Sequence, residues 1–143
     1  MANYPEYEYD GSDSELYQTN LYTGTDADLD NTAPVDATDG YTSDIDLTQK
    51  TGCVIDFKFD SSGTTDNLVL KLYRRRDSSW DGDEIAIDSI TVTSDGTEDI
   101  FSYMINESHG PGHYRFSMQS SGATDTFDID VQCRYYRYEI ATA

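Results

Sequence analysis

Along most of the chain, apolar and polar residues alternate with a period of two. In CVIDFKFD, Cys53, Ile55, Phe57 and Phe59 share one phase, while Val54, Asp56, Lys58 and Asp60 take the other. Successive side chains of a strand point to opposite faces, so this pattern predicts a strand with one packed and one wet face. The same reading turns Leu68, Leu70 and Leu72 of NLVLKLYR inward, and likewise Phe101, Tyr103 and Ile105 of DIFSYMIN. Nearer the C-terminus, Tyr114, Phe116 and Met118 form one inward set. Phe127, Ile129, Val131, Cys133 and Tyr135 form another beyond the turn SSGATD. EIAIDSITVT departs from strict alternation: Ile85 and Ile87 keep one phase, Ile90 and Val92 the other. A phase slip inside a strand predicts a bulge, or two strands meeting at a bend.

Turn-rich segments separate these runs, and no stretch carries a helical period. Two of the turns, DSSGTTD and QSSGATD, repeat the same chemistry, and glycine is expected there to supply a positive φ. Recurrent short strands with polar turns predict an all-β chain, an antiparallel β-sandwich of jelly-roll-like or Ig-like type. Residues 1–44 read differently: acidic, rich in Tyr, Thr, Asn and Gly, and poor in aliphatics. They are expected to form an extended N-terminal arm, with 45–143 as the sandwich domain. A chain of 143 residues fits one such domain and can bury roughly two thirds of its unfolded surface.

Charge narrows the function classes. Nine Lys and Arg stand against 28 Asp and Glu, a net charge of −19. A surface this negative repels phosphate backbones and anionic membranes, so neither nucleic acid nor membrane is expected as a partner. The excess of Asp over Glu suits turns and caps rather than helices. The opening residues ANYPEYEYDGSDSE have no basic start and no apolar run, so no secretory leader is expected. Cys53 and Cys133 are too few for a four-ligand zinc site and fall on inner phases, which suggests two buried thiols, or one bridge if their strands bring them together.

Candidate chemistry is sparse. Asp26, Asp28 and Asp30 alternate as in a calcium loop, but the sixth and twelfth places hold Asn31 and Ala37 instead of Gly and Glu. His109 and His113 flank Gly-Pro-Gly, which breaks the helix that would bring both to one metal. No nucleophile elbow, phosphate-binding glycine loop or Cys-His arrangement is present, so no catalytic residue, metal or cofactor is assigned. The arm tyrosines Tyr4, Tyr7, Tyr9, Tyr17 and Tyr22, the basic run Arg74, Arg75 and Arg76, and the C-terminal Arg134, Tyr136, Arg137 and Tyr138 belong to residue types that anchor interfaces. Trp80, alone in the loop RRDSSWDGDE, suits stacking on a sugar or partner, or a lid over its own core.

The segment YRF, SSG, TDTF and then Arg134–Tyr138 resembles a C-terminal hairpin of small all-β proteins from tailed bacteriophages, over about the last 30 residues. That resemblance implies a virion component, such as a head decoration or accessory subunit, with no catalytic residues to carry over. The expectation is therefore a non-enzymatic phage structural protein, made in the host cytoplasm and located in the virion. Its partners would be the major capsid protein or other virion subunits, and further copies of itself. The alternative is a carbohydrate- or calcium-binding sandwich module that uses Trp80 and the acidic loops.

Overall fold

The computed structural model describes residues 5–7, 18–27, 40–136 and 138–140. Their strands are β1 (Pro5–Tyr7), β2 (Gln18–Ala27), β3 (Ile45–Asp46), β4 (Gly52–Ser61) and β5 (Leu68–Arg74), followed by β6 (Ile85–Val92), β7 (Glu98–Ile105), β8 (His113–Ser120), β9 (Phe127–Tyr136) and β10 (Tyr138–Ile140). Two four-stranded sheets carry the fold, in the orders β2-β9-β4-β7 and β3-β8-β5-β6, while β1 and β10 pair separately as a short ribbon. Within the sheets, β2 neighbours β9, β3 neighbours β8, β4 neighbours β7 and β5 neighbours β6, all antiparallel. This is one long hairpin with its tip at β5–β6, rolled so that alternate rungs fall into opposite sheets. The result is a jelly roll, the wrapped form of β-sandwich.

The alternating residues line the space between the sheets. Ile55, Phe57 and Phe59 of β4 face Leu68, Leu70 and Leu72 of β5 and Phe116 and Met118 of β8, all buried. Phe57 meets Phe116 edge-on at 5.0 Å, and Tyr103 meets the same ring at 5.4 Å. The phase slip in β6 is a bulge: Asp88 pairs with Leu72 and Ala86 with Tyr73, which leaves Ile87 as the extra residue. Cys53 lies opposite Tyr135 and Cys133 opposite Ile55, so the two sulfurs are diagonal neighbours on the inner face. Both remain free, buried thiols. Mutual hydrogen bonding and burial push the Cys53 thiol well above its ordinary range.

The expected arm is partly woven into this sandwich. Its residues 18–27 are the edge strand β2, with Leu21 buried in the core. Thr42 donates its backbone N–H to the Phe116 carbonyl and accepts the Phe116 N–H on its hydroxyl, both at 2.9 Å.

At one end of the sandwich the two SSG turns meet. Each crosses between the sheets, β4 to β5 and β8 to β9, and they grip each other reciprocally. The buried Asp125 carboxylate accepts the backbone N–H of Thr65 at 2.9 Å and of Asp66 at 2.8 Å. The buried Asp66 carboxylate accepts those of Thr124 and Asp125, both at 2.7 Å. Asn67 N–H reaches Ser121 Oγ at 2.8 Å, and Thr126 N–H reaches Ser62 Oγ at 2.9 Å. Each of these bonds between the arches thus has its counterpart.

The glycines of these turns do not serve the purpose expected of them. Positive φ occurs at Gly40, Gly82, Gly96, Gly110 and Gly112, and not at Gly63 or Gly122. Instead, a Cβ on Gly63 would collide with Asp125 Oδ1, and one on Gly122 with Asp66 Oδ1. Glycine is required because a carboxylate of the other arch occupies the side-chain position.

Removing either carboxylate strands two backbone donors, at about 1–3 kcal/mol each. Asp125→Ala and Gly122→Ala should therefore each cost roughly 3 kcal/mol. Their combination should cost clearly less than the sum, because both break one clasp. Urea unfolding of the single and double variants measures this.

Candidate functional site

At the opposite end, side chains from two segments converge on Arg115 of β8. The residue sits on the outer phase of β8, between the buried Tyr114 and Phe116. Its guanidinium lies 3.9 Å from the ring centre of Tyr41 and 4.3 Å from that of Trp80. Its Nη2 pairs with Glu84 Oε1 at 3.1 Å, and the two side chains are only 11% and 10% exposed. Desolvated cation–π contacts are worth about 2 kcal/mol, so the stack is a substantial part of how the loop between β5 and β6 is held. Glu84 Oε1 also accepts the Gly82 N–H at 3.2 Å. Arg115 Nε is buried without a partner.

A second chain of contacts extends from Trp80. Its indole N–H donates to Asp44 Oδ1 at 2.9 Å, and Asp44 Oδ2 lies 2.7 Å from His113 Nδ1. The other ring nitrogen of His113 lies 3.8 Å from Asp46 Oδ1. Thr48 donates to that same oxygen through its hydroxyl at 2.6 Å and its N–H at 3.0 Å, which holds the Asp46 carboxyl below its ordinary range. Burial raises the Tyr41 phenol against the opposing pull of Arg115.

The expected interface residues fall at several places. Arg76 pairs with Asp83, and Arg75 Nε donates to the Asp77 carbonyl at 2.8 Å, both within the loop that carries Trp80. The Tyr114 hydroxyl, near Arg74, donates to the carbonyls of His109 at 2.7 Å and Gly110 at 2.8 Å, and burial raises this phenol against the opposing pull of Arg74. Arg134 pairs with Asp56 at 3.2 Å across the outer face of the β2-β9-β4-β7 sheet. Tyr22 packs against the core, and its ring fills the space that a side chain on residue 24 would need. The ring of Tyr136 likewise lies over Gly52. The side chains of Tyr4, Tyr7, Tyr9, Tyr17, Arg137 and Tyr138 lie outside the described residues, as do Asp26, Asp28 and Asp30.

Sequence reasoning missed Arg115 and Tyr41. No local signal marked Arg115, since a polar residue between two core positions is the ordinary outer face of a strand. The two histidines do not act together, since His109 Nδ1 accepts the Asn106 N–H at 3.1 Å in a separate turn. Among the described residues, no three His, Cys, Asp or Glu are grouped to hold a metal ion. Comparison with protein-family models and with curated proteins finds no match for the chain.

Two outcomes follow for this end and the neighbouring sheet edge. Arg115→Ala leaves Glu84 buried without its cation and should cost about 3 kcal/mol, whereas Arg115→Ala with Glu84→Gln should recover part of that loss. Both should shift the fluorescence of Trp80, the sole tryptophan. Tyr103 donates to Asp88 at 2.8 Å between β7 and β6, and burial with this bond raises its phenol to about 12. The unfolded chain releases that proton first, near pH 10. The contribution of Tyr103 is then complete below about pH 10 and is lost between about pH 10 and 12. Tyr103→Phe should cost about 1 kcal/mol at neutral pH, and the deficit should shrink across that window in urea titrations.

Proposed function

We propose that the chain is a non-enzymatic structural subunit of a phage virion, a capsid decoration or accessory protein held by Tyr and Arg contacts. The observation that carries this reading is how the described reactive side chains are used. Arg115, Glu84, Trp80, Asp44 and His113 engage one another in a stack that stiffens the surface. They do not converge on a space for a substrate. The reciprocal clasp stiffens the other end, and rigidity at both ends suits a building block. The resemblance of the C-terminal hairpin to small all-β proteins of tailed bacteriophages points the same way, and so does the net charge of −19, which keeps a capsid-bound protein from competing for packaged DNA.

Jelly rolls also include lectins, and fold alone does not choose between them. One face of the Trp80 ring is covered by Arg115, which removes a surface that a sugar would use for stacking. Asp83 and Glu84 of the same loop are paired with arginines.

Mass spectrometry of purified phage particles from the source of the gene tests the reading. We expect the chain at a fixed copy number relative to the major capsid protein, and its consistent absence from particles rejects the proposal. Calorimetry with Ca²⁺ and a glycan panel tests the alternative: no heat and no change in melting temperature removes it.

A further inference from the structure

We infer that strand β7 is a homotypic docking edge, through which two copies of the chain join their sheets in antiparallel register about a twofold axis at Ser102.

Every exposed sheet edge offers unpaired backbone N–H and C=O groups, and proteins guard such edges with short strands, bulges, glycine or mid-strand charge. Among the described residues, three of the four edges of the two four-stranded sheets carry such guards. β3 has only two residues. β2 has register breaks after Asn20 and after Gly24. β6 carries the bulge at Ile87 and a mid-strand Asp88. β7 differs from all of them. Its eight residues run in unbroken register with β4, from Cys53–Ile105 to Asp60–Glu98. It contains no Pro, Gly, Lys or Arg, and its acids are confined to its first two positions. Its outer face also carries the two most exposed large apolar side chains among the described residues, Ile100 at 70% and Met104 at 51%.

The spacing of those two residues selects the occupant. A twofold axis normal to the sheet keeps both outer faces on one side and pairs outer residues with outer residues. With the axis at Ser102, Ile100 of each copy lies opposite Met104 of the other, and Phe101 lies opposite Tyr103. Asp99 then faces Ile105 and Glu98 faces Asn106, so no carboxylate opposes another. Shifting the register by two residues in either direction places Met104 against Glu98, or Ile100 against Asn106. The strand therefore complements itself in one register, which a strongly acidic chain needs if it is to meet its own copy. Val54, beside Met104 on β4, extends the apolar patch on each side of the seam.

This contact gives a surface to the self-association expected of a virion subunit, and it rests on the proposed function in that respect alone. Sedimentation velocity of the full chain, over a range of concentrations and salt, tests it. We expect a monomer–dimer equilibrium that tightens with added NaCl, since salt screens the repulsion between two acidic copies. Ile100→Lys with Met104→Lys should raise the half-dimerisation concentration roughly tenfold or more while leaving the melting temperature of the monomer unchanged. Directly opposed strand positions are within reach of a disulfide. Ser102→Cys should therefore cross-link the dimer under mild oxidation, and Ser89→Cys on β6 should not. A chain that stays monomeric throughout, a dimer indifferent to the lysine pair, or cross-linking at Ser89→Cys but not Ser102→Cys overturns the inference. Monomeric behaviour with the chain present in particles rejects the strand contact alone. A β7 dimer with the chain absent from particles rejects the virion reading alone.

Discussion

Two buried carboxylates, Asp66 and Asp125, hold the crossing points of this sandwich. A jelly roll must carry its chain from one sheet to the other at each rung, and every crossing exposes backbone donors that neither sheet can satisfy. Here two crossings solve the problem for each other. The carboxylate of each arch accepts two N–H groups of its counterpart, and a serine of each arch accepts a third. The strands on either side inherit their registers from this contact. Ser61 meets Phe127 and Leu68 meets Ser120 at the rungs nearest the clasp, and the alternation on β4, β5, β8 and β9 then delivers their inward apolar residues to one interior. The loop between β6 and β7 closes on the same point, with Ser94 Oγ donating to the Gly63 carbonyl at 3.2 Å.

The clasp also relates two stretches of the chain. Asp66 and Asp125 are 59 residues apart, and the same offset relates Phe57 to Phe116, Leu70 to Ile129 and Leu72 to Val131. Phe57 and Phe116 meet near the middle of the core. The centre of the fold is thus two similar strand–arch–strand units packed face to face about an approximate twofold axis. Acidic side chains, in excess across the chain, have a specific structural use here because backbone donors surround them.

The two ends differ in what stabilises them. Backbone N–H groups donating to buried carboxylates hold the clasped end. The Arg115 end depends on side-chain chemistry, with a guanidinium between two rings and a buried ion pair that fixes a long loop onto the outer surface of β8. Between them lie the open edges of the two sheets, bridged by the Tyr103–Asp88 bond. Of those edges, β7 is the least defended.

Much of this fold was legible in one dimension. Period-two alternation identified the inward faces of β4, β5, β7, β8 and β9, because a half-buried strand must alternate. The slip between Ile87 and Ile90 revealed a bulge for the same reason. The repeated SSG turns were visible too, but not their meaning. Only the packed structure shows that Gly63 and Gly122 make room for a carboxylate, since that requirement comes from a residue some 60 positions away. Residues 18–27 looked too polar to belong to the sandwich, yet they form an edge strand, where one face and one side remain wet. Arg115 and Tyr41 carried no local sign of their partnership, because nothing in either segment names the ring or the charge that covers it. Local periodicity follows from backbone geometry, so the sequence alone determined the inward residues of β4, β5, β7, β8 and β9, while Leu21, Ile45 and Leu47 joined the core only through packing. Partners distant in sequence meet only when the chain rolls, so the clasp, the arginine stack and the undefended edge were decided by the tertiary structure.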